Sequence, residues 1–151
     1  MIDRSHIGRE LAPSVLDVEK GRLVFFAQAI GETDPVYTDE TAARAAGYPA
    51  LPAPPTFIFA AELDSRTVVS MLDEMGVPLA RILHGEQAFR YFAPVCAGDT
   101  VTVRSRVADI YARRSGALEF IVKESTATNQ HGTEVATMRS VIVVRNPPGA
   151  T

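Results

Sequence analysis

The fold of this chain can be read outward from Thr56-Phe57-Ile58-Phe59-Ala60-Ala61-Glu62-Leu63, a stretch that is apolar on nearly every side. A helix without a polar face is normally buried inside a protein. Pro55 suits the first position of such a helix, and Gly76-Val77-Pro78 suits its end. Asp64-Ser65-Arg66 interrupts the apolar pattern, so we expect a kink or an exposed stretch there. The sequence therefore predicts a long, buried central helix.

Four strands are predicted after this helix, from runs in which polar and apolar residues alternate. They cover Gln87–Phe92, Thr100–Val107, Leu118–Thr128 and Glu134–Val144. The later three are joined by short turns, which connect antiparallel neighbours. We therefore predict an α+β protein, in which an antiparallel sheet wraps around the central helix.

The segment before the central helix reads as two helices and a stiff connection. The first helix is predicted from Val18 to Ile30, with Asp17 as its N-cap and Gly31 as the residue that ends it. A second, short helix is predicted over Asp39–Ala46. Four prolines between Pro49 and Pro55 exclude a helix or a central strand, because their nitrogens cannot donate hydrogen bonds. This connection should be extended.

Composition restricts the class of protein. The 151 residues predict one domain over residues 1–146 and a disordered tail over 147–151. Fifteen Lys and Arg against 18 Asp and Glu give a net charge of −3, which argues against nucleic-acid binding. No apolar run is long enough to span a membrane, and the first residues do not resemble a signal peptide. We expect a cytoplasmic protein that binds neither nucleic acid nor membrane.

Cysteine and histidine usage argues against a metal centre. The single cysteine, Cys96, allows neither an internal disulfide nor a zinc site built from cysteines. His6, His84 and His131 are widely scattered in the sequence, so they do not form a recognisable ligand set. No cofactor or metal is expected.

Two segments, in this order, resemble MaoC-like hydratases and dehydratases, which have the hotdog fold. The first, Gly31 to Asp39, reads Gly-Glu-Thr-Asp-Pro-Val-Tyr-Thr-Asp and matches a Gly-acid-x-x-Pro-x-x-x-Asp loop. The second, Phe89 to Val101, contains Tyr-Phe-Ala-Pro-Val-Cys-Ala-Gly-Asp-Thr and looks like the family's aromatic-x-x-Pro-Val-x-x-Gly-Asp-Thr signature. The resemblance covers roughly Ile7 to Arg145 and implies a single hotdog domain.

Active members of that family hydrate trans-2-enoyl thioesters, or catalyse the reverse elimination, with a Gly-Asp-x-Asn-Pro-x-His loop. This chemistry needs an acid and a base near the thioester, because two protons must move. It also needs a hydrogen-bond donor at the thioester carbonyl, where negative charge develops. In those members the donor is a backbone N–H at the start of the central helix, where the first amides are unpaired.

This chain departs from that pattern. Glu32, Asp34 and Tyr37 stand where the family has Asp, Asn and His. A phenol titrates near pH 10 rather than 6.5, so two-way proton exchange at neutral pH is lost. The family's His-Gly before the central helix falls on Pro54-Pro55, and Pro55 has no N–H to donate. Thr56 could still offer one.

The departures resemble the FAS1-like branch of the family. Ala53 to Phe57, Ala-Pro-Pro-Thr-Phe, and His84 to Phe89, His-Gly-Glu-Gln-Ala-Phe, look characteristic of this branch. It includes the N-terminal halves of two-hotdog hydratases and the substrate-binding subunits of heterodimeric (3R)-hydroxyacyl-thioester dehydratases. A second hotdog carries the Asp and His in those assemblies. The resemblance therefore implies a partner that carries them, or a fused second domain. A single hotdog also exposes a sheet edge, so we expect a homodimer, or a heterodimer with a catalytic hotdog subunit.

The resemblance also supplies candidate site residues. Glu32 and Tyr37 are the catalytic candidates, although a loop acid and a packing ring are the ordinary alternatives. The candidates for binding an acyl-thioester of coenzyme A or acyl carrier protein are Asp34, Pro54, Thr56, Phe57, His84 and Gly85. Phe57 also fits a core residue, and Gly85 would admit either a ligand chain or another backbone.

Other interpretations remain open from the sequence. The same fold hosts thioesterases, for which Glu62 and Asp64 are the carboxylates available on the central helix. A non-catalytic protein that binds acyl-thioesters is a third possibility. Arg104, Arg106 and the pair Arg113-Arg114 could be a solvated strand face, or a clamp for coenzyme A phosphates or an acidic carrier protein.

Overall fold

The computed structural model describes residues 1–147, so Pro148–Thr151 of the predicted tail lie outside the described residues. Helices and strands alternate little along the chain, and most helices precede most strands. The helices are α1 (Lys20–Ala29), α2 (Glu40–Ala45), α3 (Ala60–Asp64) and α4 (Thr67–Glu74). The strands are β1 (Ser14–Asp17), β2 (Ile82–Tyr91), β3 (Thr100–Arg113), β4 (Leu118–Asn129) and β5 (Glu134–Arg145). The predicted α+β class is confirmed.

One antiparallel five-stranded sheet, in the order β1-β3-β4-β5-β2, holds all these strands. The β3–β4 turn contains Arg114 and Ser115 at positive φ, followed by Gly116. In the β4–β5 turn, the Asn129 side chain accepts hydrogen bonds from the N–H groups of His131 and Thr133. The four predicted strands are confirmed, and each of them is longer than predicted.

The central helical segment lies against the inner face of this sheet. It begins as a 3-10 turn over Pro55–Phe59, continues as α3, and breaks at Arg66, whose φ is +56°. The predicted interruption at residues 64–66 is therefore confirmed. Hydroxyls of Ser14 and Thr67 contact that of Ser65 at 2.7 and 2.6 Å, which ties the break to β1.

Two apolar clusters join the helices to the sheet. The first packs the start of the central segment against the sheet and contains Phe57, Ile58, Ala61, Val101, Val103, Ala127 and Met138. The second lies under α4 and contains Met71, Leu72, Val107, Ile110, Ile121 and Val144. Burying each large apolar side chain contributes about 1.5–3 kcal/mol. The sheet therefore wraps around the helices, as predicted.

The first helix begins later than predicted, and Asp17 is not its N-cap. Asp17 ends β1, pairs with Thr100 of β3, and its carboxylate accepts a hydrogen bond from the Thr100 hydroxyl at 2.9 Å. The strand was missed because four residues with two inward positions give too little alternation to recognise. The predicted end is confirmed: Gly31 has φ +73°, and the N–H of Glu32 donates to the Ala27 carbonyl at 2.9 Å.

The Gly-Asp-Thr signature is a structural turn. The Asp99 carboxylate accepts hydrogen bonds from the Cys96 N–H and from the Gln130 side chain, at 2.8 and 2.9 Å. The N–H of Val18 donates to the Asp99 carbonyl, also at 2.8 Å. The turn thus connects the start of β3 to the entry of α1 and to the β4–β5 turn.

An ion pair lies in the core, at the acid of the central segment that is otherwise apolar on nearly every side. Glu62 on α3 and Lys123 on β4 are 2% and 1% exposed and form a salt bridge. The hydroxyls of Ser125 and Ser105 also donate to Glu62 Oε1, at 2.6 and 3.0 Å. Burial lowers the pKa of Lys123, and the Glu62 carboxylate offsets part of that effect.

Residues 1–147 include no helix that is both long and apolar enough to cross a membrane.

Candidate functional site

An apolar cleft of about 380 Å³ opens where the loop before α2, the proline-rich connection and the ends of β2 and β5 meet. Its walls are aromatic rings, prolines and small apolar side chains. They are formed by Tyr37, Tyr48, Pro52, Ala53, Pro54, Pro55, Ile58, Tyr91, Phe92, Ala93, Pro94, Val95, Val135 and Ala136. The proline-rich connection is extended as predicted, because Ala53 N–H donates to Val95 and Ala97 N–H donates to Leu51.

Two carboxylates hold the loop that carries Tyr37. Glu32 Oε1 accepts hydrogen bonds from the N–H groups of Thr33 and Asp34, at 2.8 and 2.9 Å. Asp34 Oδ1 in turn accepts from the N–H of Val36 at 3.0 Å, which caps a 3-10 turn over Pro35–Tyr37. Both acids therefore have a positioning role in the loop.

Tyr37 projects from this turn into the wall of the cleft and is half-buried. Burial raises its pKa above the ordinary value of 10.0, and the negative charges of Glu32 and Asp34 raise it further. The phenol is thus protonated at neutral pH. It can donate a hydrogen bond to a ligand in the cleft, but it cannot accept a proton there as a base.

The start of the central segment forms the opposite wall. Pro54 is buried against the cleft, and Tyr91 Oη donates a hydrogen bond to the Pro55 carbonyl at 2.8 Å. This bond fixes the end of β2 against the first turn of the helix. Thr56, next to the cleft residue Pro55, is exposed, and within residues 1–147 its N–H has no hydrogen-bond acceptor.

The remaining candidates lie outside this cleft. Phe57 is 2% exposed, and its ring meets that of Phe26 edge-on at 5.4 Å, as in a core contact. His84 is exposed on β2, with its ring edge-on to Phe59 at 5.8 Å.

Gly85 lies at a β-bulge, where the neighbouring strand fills the space that a ligand chain would need. A Cβ at this position would lie 2.7 Å from Val143 Cγ2 and 2.9 Å from the Val141 carbonyl oxygen. The missing side chain of Gly85 therefore lets β5 approach closely at this position.

Three aromatic residues of the cleft were not among the predicted site residues. Tyr91 and Phe92 belong to the second segment that carried the family resemblance, which was the available signal, and Tyr48 precedes the proline-rich connection. Tyrosines are the titratable side chains that line the cleft, and His, Asp, Glu, Lys and Cys are absent from its described walls. The cleft can hold an apolar chain and donate hydrogen bonds to it, without a group that exchanges protons at neutral pH.

Neither carboxylate considered for a thioesterase reaches this cleft. Glu62 is enclosed in the core with Lys123, and Asp64 forms an ion pair with Arg22 at 2.8 Å. The described walls therefore offer no carboxylate from the central helix to activate water.

Strand β2 is exposed more than its neighbours. It forms one edge of the sheet, and Leu83, His84, Gly85 and Glu86 are all exposed in succession. The backbone groups on its outer side have no strand partner within residues 1–147. Such an edge is a site for pairing with another chain.

Comparisons with known proteins agree with this architecture. Residues 5–138 match the family described as "FAS1-like, dehydratase domain region". A "UPF0336 protein" of Saccharopolyspora erythraea is 34% identical over 145 residues, covering 95% of this chain and 92% of its own length.

Two solved complexes from Mycobacterium tuberculosis have the same fold. "C terminal truncated HadBC (3R-Hydroxyacyl-ACP Dehydratase) complex" superposes with a TM-score of 0.78 at 26% identity, over 91% of this chain and 96% of that one. The "ChsH1-ChsH2 complex" superposes with a TM-score of 0.73 at 22% identity, over 93% of this chain and 91% of that one. The chain therefore belongs to the family of FAS1-like dehydratase domains, within the MaoC-like dehydratases of hotdog fold.

Proposed function

We propose that this chain is the acyl-binding subunit of an enoyl-thioester hydratase or (3R)-hydroxyacyl-thioester dehydratase. The observation that carries the proposal is the apolar cleft, whose titratable side chains are tyrosines alone. Membership of a dehydratase family supports the reaction class. The substrate would be an acyl-thioester of coenzyme A or acyl carrier protein.

The cleft supports binding better than proton transfer. Hydration adds a hydroxyl and a proton across a double bond, so one group must accept a proton and another must donate one. Tyr37 is protonated at neutral pH and can only donate, because its pKa is raised by burial. The free N–H of Thr56 is a candidate donor to the thioester oxygen, where negative charge develops. The base must therefore come from elsewhere.

A second hotdog chain is the source that the structure supports. The exposed edge strand β2 ends at Tyr91, which lines the cleft, so a partner paired with β2 would approach the site. The name of the HadBC structure describes a dehydratase complex, at 26% identity. We propose that the partner carries the Asp and His of the Gly-Asp-x-Asn-Pro-x-His loop.

The purified chain alone is expected to bind a short acyl-CoA but to hydrate crotonyl-CoA at less than about one turnover per second, at the bottom of the usual range for enzymes. Binding is measured by calorimetry and turnover by loss of the enoyl absorbance. Tyr37→Phe should weaken binding, while Arg44→Gln on the exposed end of α2 should not. A turnover of several per second by a homogeneous preparation contradicts the proposal.

Assembly through β2 gives a separate prediction. Leu83 is 49% exposed on the edge strand, and Leu79, just before this strand, is 55% exposed. Leu83→Asp should convert a dimer into monomers in light scattering, because a charge would be buried at the new strand pair. Leu79→Asp is the matched control and should leave the dimer intact. A dimer unaffected by Leu83→Asp would place the interface elsewhere.

A non-catalytic acyl-thioester-binding protein is the second candidate, and the same cleft chemistry favours it. Purification of the native complex separates the two, because only the subunit proposal requires a hotdog partner that bears the Asp and His.

A further inference from the structure

The outer face of the sheet, opposite the helices, carries a second cavity of about 630 Å³ that the proposed function does not use. It lies over the middle of β2, β3, β4 and β5. Four arginines and two glutamates line it, although the whole chain is acidic. The arginines are Arg90, Arg104, Arg106 and Arg139, and the acids are Glu10 and Glu124.

One row across the sheet combines two arginines with two threonines. Arg104 pairs with Thr126, Thr126 with Thr137, and Thr137 with Arg90, so the four residues stand side by side on four adjacent strands. Strands are spaced about 4.8 Å apart, so the two arginine backbones are roughly 14 Å from each other. The two threonine hydroxyls lie between them. All four side chains line the cavity.

The two other arginines of the cavity, Arg106 and Arg139, already have acidic partners. Arg106 forms an ion pair with Glu124 at 2.8 Å, and Arg139 pairs with Glu86 at 3.3 Å. Within residues 1–147, Arg90 and Arg104 have no acidic partner, and the guanidinium of Arg90 lies 5.2 Å from the centre of the Phe92 ring. The hydroxyls of Thr126 and Thr137 also have no side-chain partner in that part of the chain.

We propose that the row Arg104–Thr126–Thr137–Arg90 is a binding site for the phosphates of a nucleotide-like small molecule. Each guanidinium presents five N–H donors in a planar fork that fits two phosphate oxygens at once, and each threonine adds a hydroxyl donor. Among the described residues, the row has one arginine without an acidic partner at each end, Arg104 and Arg90. Two such positive charges suit a ligand with more than one negative charge. Arg113 is the last residue of β3 and Arg114 lies in the turn after it, and neither lines this cavity.

The test uses inorganic pyrophosphate as the probe, titrated into the protein by calorimetry at low salt. The variant Arg90→Gln/Arg104→Gln should bind at least about tenfold more weakly, a change of about 1.4 kcal/mol, because both charged hydrogen-bond donors are lost. Arg113→Gln, on the same strand outside the site, is the matched control and should bind as the wild type does. Thermal unfolding of each variant confirms that it is folded.

Equal affinity of the wild type and the double variant overturns the proposal, as does an equal loss in Arg113→Gln, which would indicate non-specific attraction to positive charge. Coenzyme A and ATP are then titrated in the same way. Tighter binding of either, lost in the double variant, supports the site and identifies whether its phosphates belong to a thioester carrier or to a free nucleotide. These outcomes do not depend on whether the chain is a dehydratase subunit.

Discussion

Replacing Lys123 with methionine is expected to lower the free energy of unfolding by about 3–5 kcal/mol at pH 7. Methionine fills most of the volume of lysine but leaves the carboxylate of Glu62, which is 2% exposed, without its cation. In the wild type, Glu62 Oε1 receives Lys123 and two serine hydroxyls, while Oε2 has no partner among the described residues. The remaining hydroxyls cannot replace a full positive charge.

The pH dependence of this variant identifies the cause of its instability. At alkaline pH the wild type and the variant should behave differently. The pKa of Lys123 is lowered by burial, so the unfolded chain binds the proton more tightly, and stability should rise with pH toward the ordinary lysine value of 10.5. Lys123→Met lacks the amine, so its stability should not rise with pH in this range.

Two further variants serve as controls, measured by urea unfolding monitored by circular dichroism. Glu62→Gln/Lys123→Met removes both charges and should recover most of the lost stability, since a buried pair contributes little more than a neutral pair. Lys20→Met breaks an exposed ion pair with Glu40 and should change stability by less than about 0.5 kcal/mol. If Lys123→Met and Lys20→Met have equal effects, the buried ion pair does not have the structural role described here.

Where the hydrophobic pattern was long, it predicted the fold well. The alternation over β3, β4 and β5 predicted three antiparallel neighbours, and Gly31 marked the end of α1 because its positive φ is needed there. The pattern failed at Asp17, which looked like a helix cap but belongs to a strand. The residue it pairs with, Thr100, is 83 positions away, and no local signal reports such a pairing.

The inward position of Glu62 could not be predicted either. A single acid in an apolar run normally faces solvent, and here the neighbouring Leu63 is instead 62% exposed. Glu62 instead points inward because it forms an ion pair with Lys123, which lies at a buried position of β4, far away in the sequence. The inference required the sheet register, which only the structure provides.

For the site, the resemblance identified the loop but not the roles of all its residues. Of the residues it nominated, Tyr37 and Pro54 line the cleft and Phe57 lies in the core. Consecutive helical residues point in different directions, so a motif that spans Ala53 to Phe57 contributes both to the cleft and to the core. The catalytic and binding roles themselves stay predictions.

The largest expected effect on activity concerns the partner rather than this chain. Co-expression with a hotdog protein that carries Gly-Asp-x-Asn-Pro-x-His should raise the turnover of crotonyl-CoA at least about 100-fold over the chain alone, the usual contribution of general acid–base catalysis being 10²–10⁴. The reason is chemical: the described cleft of this chain holds phenols, and an imidazole titrates near neutral pH.

Variants of the assembled complex divide the roles between the two chains. Replacing the partner's His with Gln or its Asp with Asn should return turnover to the level of the chain alone. In this chain, Tyr37→Phe should mainly raise KM, because it removes a hydrogen bond that binds substrate, and should change kcat less than about tenfold. Glu32→Gln keeps one oxygen able to accept from the Thr33 and Asp34 amides, so it should also leave kcat within that range.

The opposite effects of these variants on turnover would assign catalysis to this chain. If Glu32→Gln abolished turnover while the partner's variants did not, the Glu32 carboxylate would be the base, although it is engaged with two backbone amides. Glu32 is not among the residues that line the described cleft, and its Oε1 holds the loop through the Thr33 and Asp34 amides. Catalysis by Glu32 would therefore require the loop over residues 32–37 to rearrange on substrate binding.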